Sequence, residues 1–248
     1  MAKKSGLGHQ FYADGYDISG DVGSIDTLTN PSDVIDDTGI DKQSHERIHG
    51  LASGSLTWSG FFNDATDAMH DALKALRQTS WILSWCLGTT RGDQVANLEA
   101  VQVDYNYNRV AGGGLTNQII GESEKDQGVG IEWALLLATK GTHASATDET
   151  GIDNTAATSS GGVGFLHHFP DGTPTGTIEY DIEDSSDSTN GVDGSWANLI
   201  AFSDVATPWA AIAERATVAG NVDDWVRAST NGTFTGAYFS MSFRRTPD

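Results

Sequence analysis

Three short stretches of this 248-residue chain carry side chains that could do chemistry. His45-Glu46-Arg47-Ile48-His49 has the spacing of a zinc-peptidase signature, in which two imidazoles four residues apart hold the metal and the intervening Glu acts as base. That chemistry needs a helix, because a helix turns residues i and i+4 to one side. Here Gly50 follows at once and Gly54 soon after, Asp41 to Ser44 show no helical stripe, and no Glu recurs until Glu99. No Gly-x-x-His extension follows either, and the next histidine is His70. The motif is therefore expected to be two surface histidines in a loop, without zinc. Between Asp181 and Asp193 lie Asp181, Glu183, Asp184, Asp187, Asn190 and Asp193, oxygen donors of the kind calcium takes. They lack the one-three-five order and closing Glu of a calcium loop, so a solvated hairpin tip is expected. His167 and His168 are adjacent in a predicted strand and must face opposite ways, which denies them a common metal. No nucleophile elbow, phosphate-cradling loop or framed carboxylate pair is present. The sequence thus predicts no catalytic, cofactor-binding or metal-ligating residue, and no cofactor.

The elements that would position these groups are mostly strands. The stretch Gly54 to Leu76 shows the change of period most clearly. Leu56 and Trp58 alternate with Ser55, Thr57 and Ser59, the pattern of a half-buried strand. Asn63 and Asp64 then offer helix-starting oxygens, and Ala65, Ala68, Met69, Ala72, Leu73 and Leu76 form one apolar stripe, with Asp67, His70, Asp71, Lys74 and Arg77 opposite. This predicts one flanking helix over about 64–77. Strands are predicted at 11–18, at 55–62, at 81–87 (apolar on both faces, as a central strand should be), at 99–107, at 115–123 and at 131–137. Residues 89–97 and Gly112 to Gly114 are predicted turns. In the 99–107 strand, Val101, Val103, Tyr105 and Tyr107 are placed on one face and Ala100, Gln102, Asp104 and Asn106 on the other. Further strands are predicted at 163–169, 177–183, 196–202, 214–218, 225–228 and 234–244, spaced as in a β-sandwich.

The organisation expected is a mobile arm at 1–10, a β domain with one helix at 11–137, an Ala/Thr/Ser/Gly-rich linker or excursion at 138–162, and a second β-sandwich domain at 163–248. Residues 26–50 are polar, contain Pro31 and keep no period, so a long loop is predicted there; a compact domain rarely keeps one without a use for it. Thr-Gly-Ile-Asp recurs at 38–41 and 150–153, too short a match to mark a duplication.

Composition narrows the function classes. With 34 acidic and 14 basic side chains the net charge is −20, which argues against tight binding to a phosphate backbone. Of the acids 25 are Asp, a residue that favours turns, and Gly numbers 29. The acidity also suits a high-salt environment. Cys86 is the single cysteine, so no internal disulfide forms; its apolar surroundings predict a buried, inert thiol. Lys3 and Lys4 precede no apolar run, so no secretory signal is expected, and no stretch approaches the roughly 20 apolar residues of a membrane span. The 7 Trp, 6 Tyr and 9 Phe sit mainly at alternating strand positions and read as core, with a sugar-binding platform on residues 160–248 as an alternative.

Residues 8–137 resemble the major tail (tail tube) proteins of long-tailed bacteriophages. The resemblance is carried by Asp36-Asp37-Thr38-Gly39, by Gly50-Leu51-Ala52-Ser53-Gly54-Ser55-Leu56-Thr57-Trp58-Ser59-Gly60-Phe61-Phe62, by the helix after it and by the strands 81–87 and 99–123. Phe11 to Val22 is similar to the opening of tail-type proteins of phages that infect high-GC bacteria. The resemblance implies a mainly β fold with one flanking helix and no catalysis. It also implies copies of the chain assembling into stacked rings, six to a ring, or three if both halves are tube domains. Other tail proteins are implied as neighbours, DNA passes through without specific binding, and the protein is made in the host cytoplasm and built into the virion. Residues 160–248 are similar to the extra β domain such proteins carry outside the tube; the long 138–162 excursion departs from the pattern. The alternatives are a capsid decoration protein, a zinc peptidase on His45, Glu46 and His49, and a carbohydrate-binding module.

Overall fold

A computed structural model describes residues 7–74, 79–109, 111–123, 129–171 and 175–246. The chain runs through β1 (Gln10–Ala13), β2 (Tyr16–Asp17), β3 (Val22–Thr29), β4 (Ser32–Asp36), β5 (Arg47–Ala52) and β6 (Ser55–Phe61) to one short helix, α1 (Met69–Lys74). Then come β7 (Trp81–Cys86), β8 (Gln94–Arg109), β9 (Leu115–Ser123), β10 (Glu132–His143), β11 (Thr147–Asp148), β12 (Ile152–Asp153) and β13 (Gly162–Phe169). The last strands are β14 (Thr175–Ser185), β15 (Ala197–Ala201), β16 (Val205–Ala206), β17 (Ile212–Val218), β18 (Trp225–Thr235) and β19 (Ala237–Arg245). The fold is mainly β with one helix, as the periodicities imply.

Eleven strands share one sheet, with main order β17-β13-β19-β10-β8-β7-β1-β2. The long β8 is its spine. Its first residues pair with β10, Val95 to Ala100 pair with β7, and Ala100 to Arg109 pair with β9, which leads on to β6 and β3. The sheet curls. Ile82 of β7 packs against Val163 and Phe165 of β13, and Tyr12 of β1 packs on Phe169, although those strands stand far apart in the pairing order. Gly15 closes the curl. Its φ is +81°, and a side chain there would collide with the backbone of Ile212 and His168. On the opposite face, Phe11, Trp58, Trp81, Leu83 and Leu98 form a second core covered by Met69 and Leu73 of α1.

A second sheet of six strands, built on the β14–β18 ladder, packs across β13 and β19 through Leu166, Tyr180, Ile182, Phe239 and Met241. The sheet pairing runs across the expected 138–162 break. β10 continues to His143, β11 and β12 pair with β18, and β13, β17 and β19 join the sheet of the first half. Two short edge strands, Thr147–Asp148 and Ile152–Asp153, lie within that stretch.

Three local expectations change. The helix starts at Met69, later than residue 64. Asp67 has φ +60° and donates its N–H to Asp71, and the carboxylate of Asp21, from the β2–β3 turn, accepts the N–H of Met69. Residues 75–78, the expected end of the helix, lie outside the described residues, as does most of the 1–10 arm. In β8 a bulge between Gln102 and Asp104 breaks the alternation, so Gln102 is buried and Val103 is exposed. The expected turn at 89–97 ends early, because Val95, Ala96 and Asn97 already belong to β8 and are buried.

Candidate functional site

His45, Glu46 and His49 do not converge. His49 lies in β5 opposite Val34, and His45 lies before the strand, with Nδ1 2.9 Å from Asp36 Oδ2. In extended chain, residues four apart stand roughly 13 Å apart, beyond the reach of one metal ion. Glu46 pairs with Lys42 at 3.2 Å. The carboxylates of 181–193 are likewise taken up locally. Asp181 accepts amide N–H groups of Asn198 and Asn231, and Glu183 pairs with Arg227. Asp187 accepts Ser195 N–H at 2.6 Å. Asp193 accepts the hydroxyls of Ser188 and Thr189 and the N–H groups of Thr189 and Asn190, bonds that hold its carboxyl down at about 2. Among the described residues no group of three or more His, Cys, Asp or Glu is placed to hold a metal. Trp196 lies under Arg227, 4.3 Å from ring centre to guanidinium, and Trp209 meets His168 edge-on, so neither offers a bare stacking platform.

His167 and His168 face opposite cores. His168 Nδ1 lies 2.6 Å from the hydroxyl of Tyr180, on the second sheet. His167 points into the curl and belongs to a polar chain that periodicity did not reveal. Gly15 N–H donates to His167 Nδ1 at 3.2 Å; His167 Nε2 lies 2.7 Å from Ser84 Oγ; Ser84 donates to Asn97 Oδ1 at 2.6 Å; Asn97 donates to Ser242 Oγ at 3.2 Å. A Ser beside a His suggests a nucleophile and its base, but the wiring runs the wrong way. With Nδ1 accepting from Gly15, the proton sits on Nε2 and points at Ser84, whose own proton goes to Asn97. All four side chains are buried, and burial pulls the His167 imidazole down to about 3, so it stays neutral. This is a structural network. Its sequence signal was Ser84 itself, a lone polar residue in the apolar run Trp81 to Leu87, which had to find a partner inside.

The part of the molecule left incomplete is the predicted loop. Residues 32–36 and 47–52 form a hairpin that is a sheet of its own, with Val34 opposite His49 and Ile35 opposite Ile48. Val34 and Ile35 are consecutive and face opposite ways, yet they are 58% and 56% exposed, so neither face of the hairpin is covered. Ile48, Leu51 and the tip residue Ile40 are exposed as well. A lone two-stranded hairpin is marginal in water, and among the described residues nothing covers the apolar side chains on either face of this one. Among the described residues the strand beside it, β3, pairs with β6 alone and leaves its other edge open.

No protein-family model matches the chain, and no curated protein matches it. Solved structures do. A chain of the virion of a native gene transfer agent particle is 12% identical, with 53% of this chain and 98% of that one covered and a TM-score of 0.43. The SPP1 Dit protein, described as a hub adsorption apparatus in phages infecting Gram-positive bacteria, is 9% identical over 96% of this chain and 99% of that one, with a TM-score of 0.31. A chain of the phage p2 baseplate in its activated conformation is 8% identical over 96% and 98%, also at 0.31. These structural neighbours are virion and tail components. At such TM-scores the likenesses carry no function across, and the role of this chain has to be read from its own residues. Among the described residues no helix is long and apolar enough to cross a membrane.

Proposed function

We propose that the protein is a structural subunit of a phage tail that assembles with copies of itself into stacked rings, forming the tube through which DNA leaves the virion. The hairpin β4–β5 carries this reading. It projects apolar side chains on both faces from the end of a sheet whose neighbouring strand has one edge unpaired among the described residues. The composition agrees, since a conduit for DNA must not hold phosphates, and a net charge of −20 repels them. In this reading the subunit performs no catalysis, uses no cofactor and contacts further tail proteins at the ends of the tube.

Sedimentation and negative-stain microscopy across a range of protein and salt concentrations test the proposal. Rings or tubes are expected at high concentration. A protein that stays monomeric under every condition would remove the reading.

A further inference from the structure

The large sheet forks at one place. Along β10 and β19 the pairing runs from His143 and Ala237 to Leu135 and Phe243, and among the described residues it stops there. Beyond that point Trp133 and Ala134 pair with β8, while Arg244 and Arg245 pair with β13. The edge of the second sheet stands over the fork, with Ile152 of β12 opposite Val226 of β18. Between them lies a cleft of about 360 Å³, within the roughly 300–1,000 Å³ of small-molecule sites. Register fixes what faces into it. Gln94, Leu135 and Phe243 stand opposite one another across β8, β10 and β19, so they share a face, and Trp133, two residues before Leu135, shares it too. Leu135, Leu137, Phe243 and Val226 make an apolar floor, and the exposed Gln94 and Asn154 line the cleft beside it. Of the seven tryptophans Trp133 alone is exposed, at 45%, and among the described residues no cation or second ring lies against its indole.

Charge narrows the ligand by elimination. No carboxylate lines the cleft, so no ion pair awaits a cation. Both arginines at its border are already engaged. Arg244, turned to the other face from Phe243, reaches Glu132 at 3.2 Å. Arg245 donates to the carbonyl oxygens of Val222 and Asp224 at 3.0 Å, and to that of Asp223. Asp153, Asp184, Asp223 and Asp224 also act on Arg245, so the local field does not favour an anion. A neutral molecule with one apolar face and a polar edge fits what remains. The side-chain amide of Gln94 makes no hydrogen bond among the described residues, and Asn154 has spent Nδ2 on Ala156 O at 3.0 Å while its Oδ1 stays open. Together they offer donors and acceptors to hydroxyl groups, beside a bare indole that offers a flat apolar face. We propose that the fork binds a neutral sugar ring, stacked on Trp133 with its hydroxyls held by Gln94 and Asn154. The same chemistry serves a free sugar and the end of a polysaccharide. This activity is separate from self-assembly and uses neither the hairpin nor the edge of β3.

The full chain is tested on an array of neutral and anionic oligosaccharides, and by calorimetric titration with free glucose, galactose and N-acetylglucosamine. The expected result is binding to neutral glycans that is the same at low and high salt, since no ion pair is formed. Titratable binding of a free monosaccharide assigns the cleft to free sugars; binding of array glycans alone assigns it to polysaccharide ends. Trp133→Ala should weaken the binding about tenfold and Gln94→Ala about threefold, both with an unchanged melting temperature because the side chains are exposed. Trp133→Phe, which keeps a ring, should retain most of the affinity. No binding to any neutral sugar, binding that Trp133→Ala leaves unchanged, or binding confined to anionic glycans would overturn the proposal, whether or not the protein assembles. If the wild type binds no sugar and Trp133→Ala abolishes assembly, the cleft belongs to a protein contact instead.

Discussion

Two regions of this molecule use polar and apolar residues in opposite ways. Inside the curl of the large sheet, Ser84, Asn97, Glu132 and His167 are polar side chains in a place built for apolar ones, and each is satisfied by neighbours of the same chain. On the hairpin, Val34, Ile35, Ile48 and Leu51 are apolar side chains in water, satisfied by nothing in the described chain. A buried polar group without a partner costs about 1–3 kcal/mol, so the first region must be complete within the monomer. An exposed apolar group costs the monomer little and stabilises a contact once covered, so the second region is free to wait. The contrast separates what holds the fold from what, in the function proposed above, would join one copy to another.

The sharpest way to break that contrast is to remove a charge from the complete region. Glu132 is 3% exposed and held by Arg215 at 2.7 Å and Arg244 at 3.2 Å, tying β10 to its neighbour β19 and, beyond β19 and β13, to β17. Glu132→Ala removes the buried carboxylate that both arginines share and should cost about 3–5 kcal/mol in urea unfolding. A loss below about 1 kcal/mol would show that the curl does not depend on this pair.

Acid gives a second, smaller effect, in that region and in the neighbouring core that His168 faces. Burial pulls His167 to about 3 and His168 to about 4, below the ordinary value of 6.5 that both regain on unfolding. Both stay neutral in the fold, so their contribution is intact above pH 6.5 and falls as pH drops from there toward 3. Each should withdraw about 2 kcal/mol by pH 5. Asp14 works against them: burial raises its carboxyl to about 6, so it gives back about 1 kcal/mol over the same interval. A melting temperature that stays flat from pH 7 to 5 would contradict the buried-histidine picture. A third effect is smaller again. Ser84→Ala removes the link between His167 and Asn97 and should cost about 1–3 kcal/mol at pH 7, with no change in assembly.

Much of the complete region could be read in advance, because burial writes itself into periodicity. Leu56, Trp58, Trp81 and Leu83 fell on core faces, and the apolar run of 81–87 became a strand between β8 and β1. What periodicity missed were contacts between distant parts of the chain. Asp21 capping α1 from 48 residues away leaves no local trace, and neither does the bulge after Gln102 that turns Val103 outward. The 138–162 stretch looked like linker because its edge strands, Thr147–Asp148 and Ile152–Asp153, are only two residues long and too short to show a period. The hairpin looked like loop for the opposite reason. Strand alternation reports one buried face, and a hairpin that buries neither face alone has no alternation to show.

That same property sets the smallest expected change in monomer stability. Val34→Ser, Ile48→Ser and Leu51→Ser together remove apolar surface from side chains that are 58%, 53% and 83% exposed. Exposed positions away from special contacts change stability within about 0.5 kcal/mol each, and serine keeps the strand backbone able to pair. The triple variant should unfold at nearly the wild-type urea concentration while losing assembly in sedimentation. Urea unfolding of the dilute, unassembled protein keeps the two readouts apart, since assembly would otherwise add its own stabilisation. A large fall in monomer stability would mean that the hairpin packs on its own subunit, and the contrast between the two regions would collapse. Unchanged stability together with unchanged assembly would put the contact surface elsewhere, with the open edge of β3 the next place to probe.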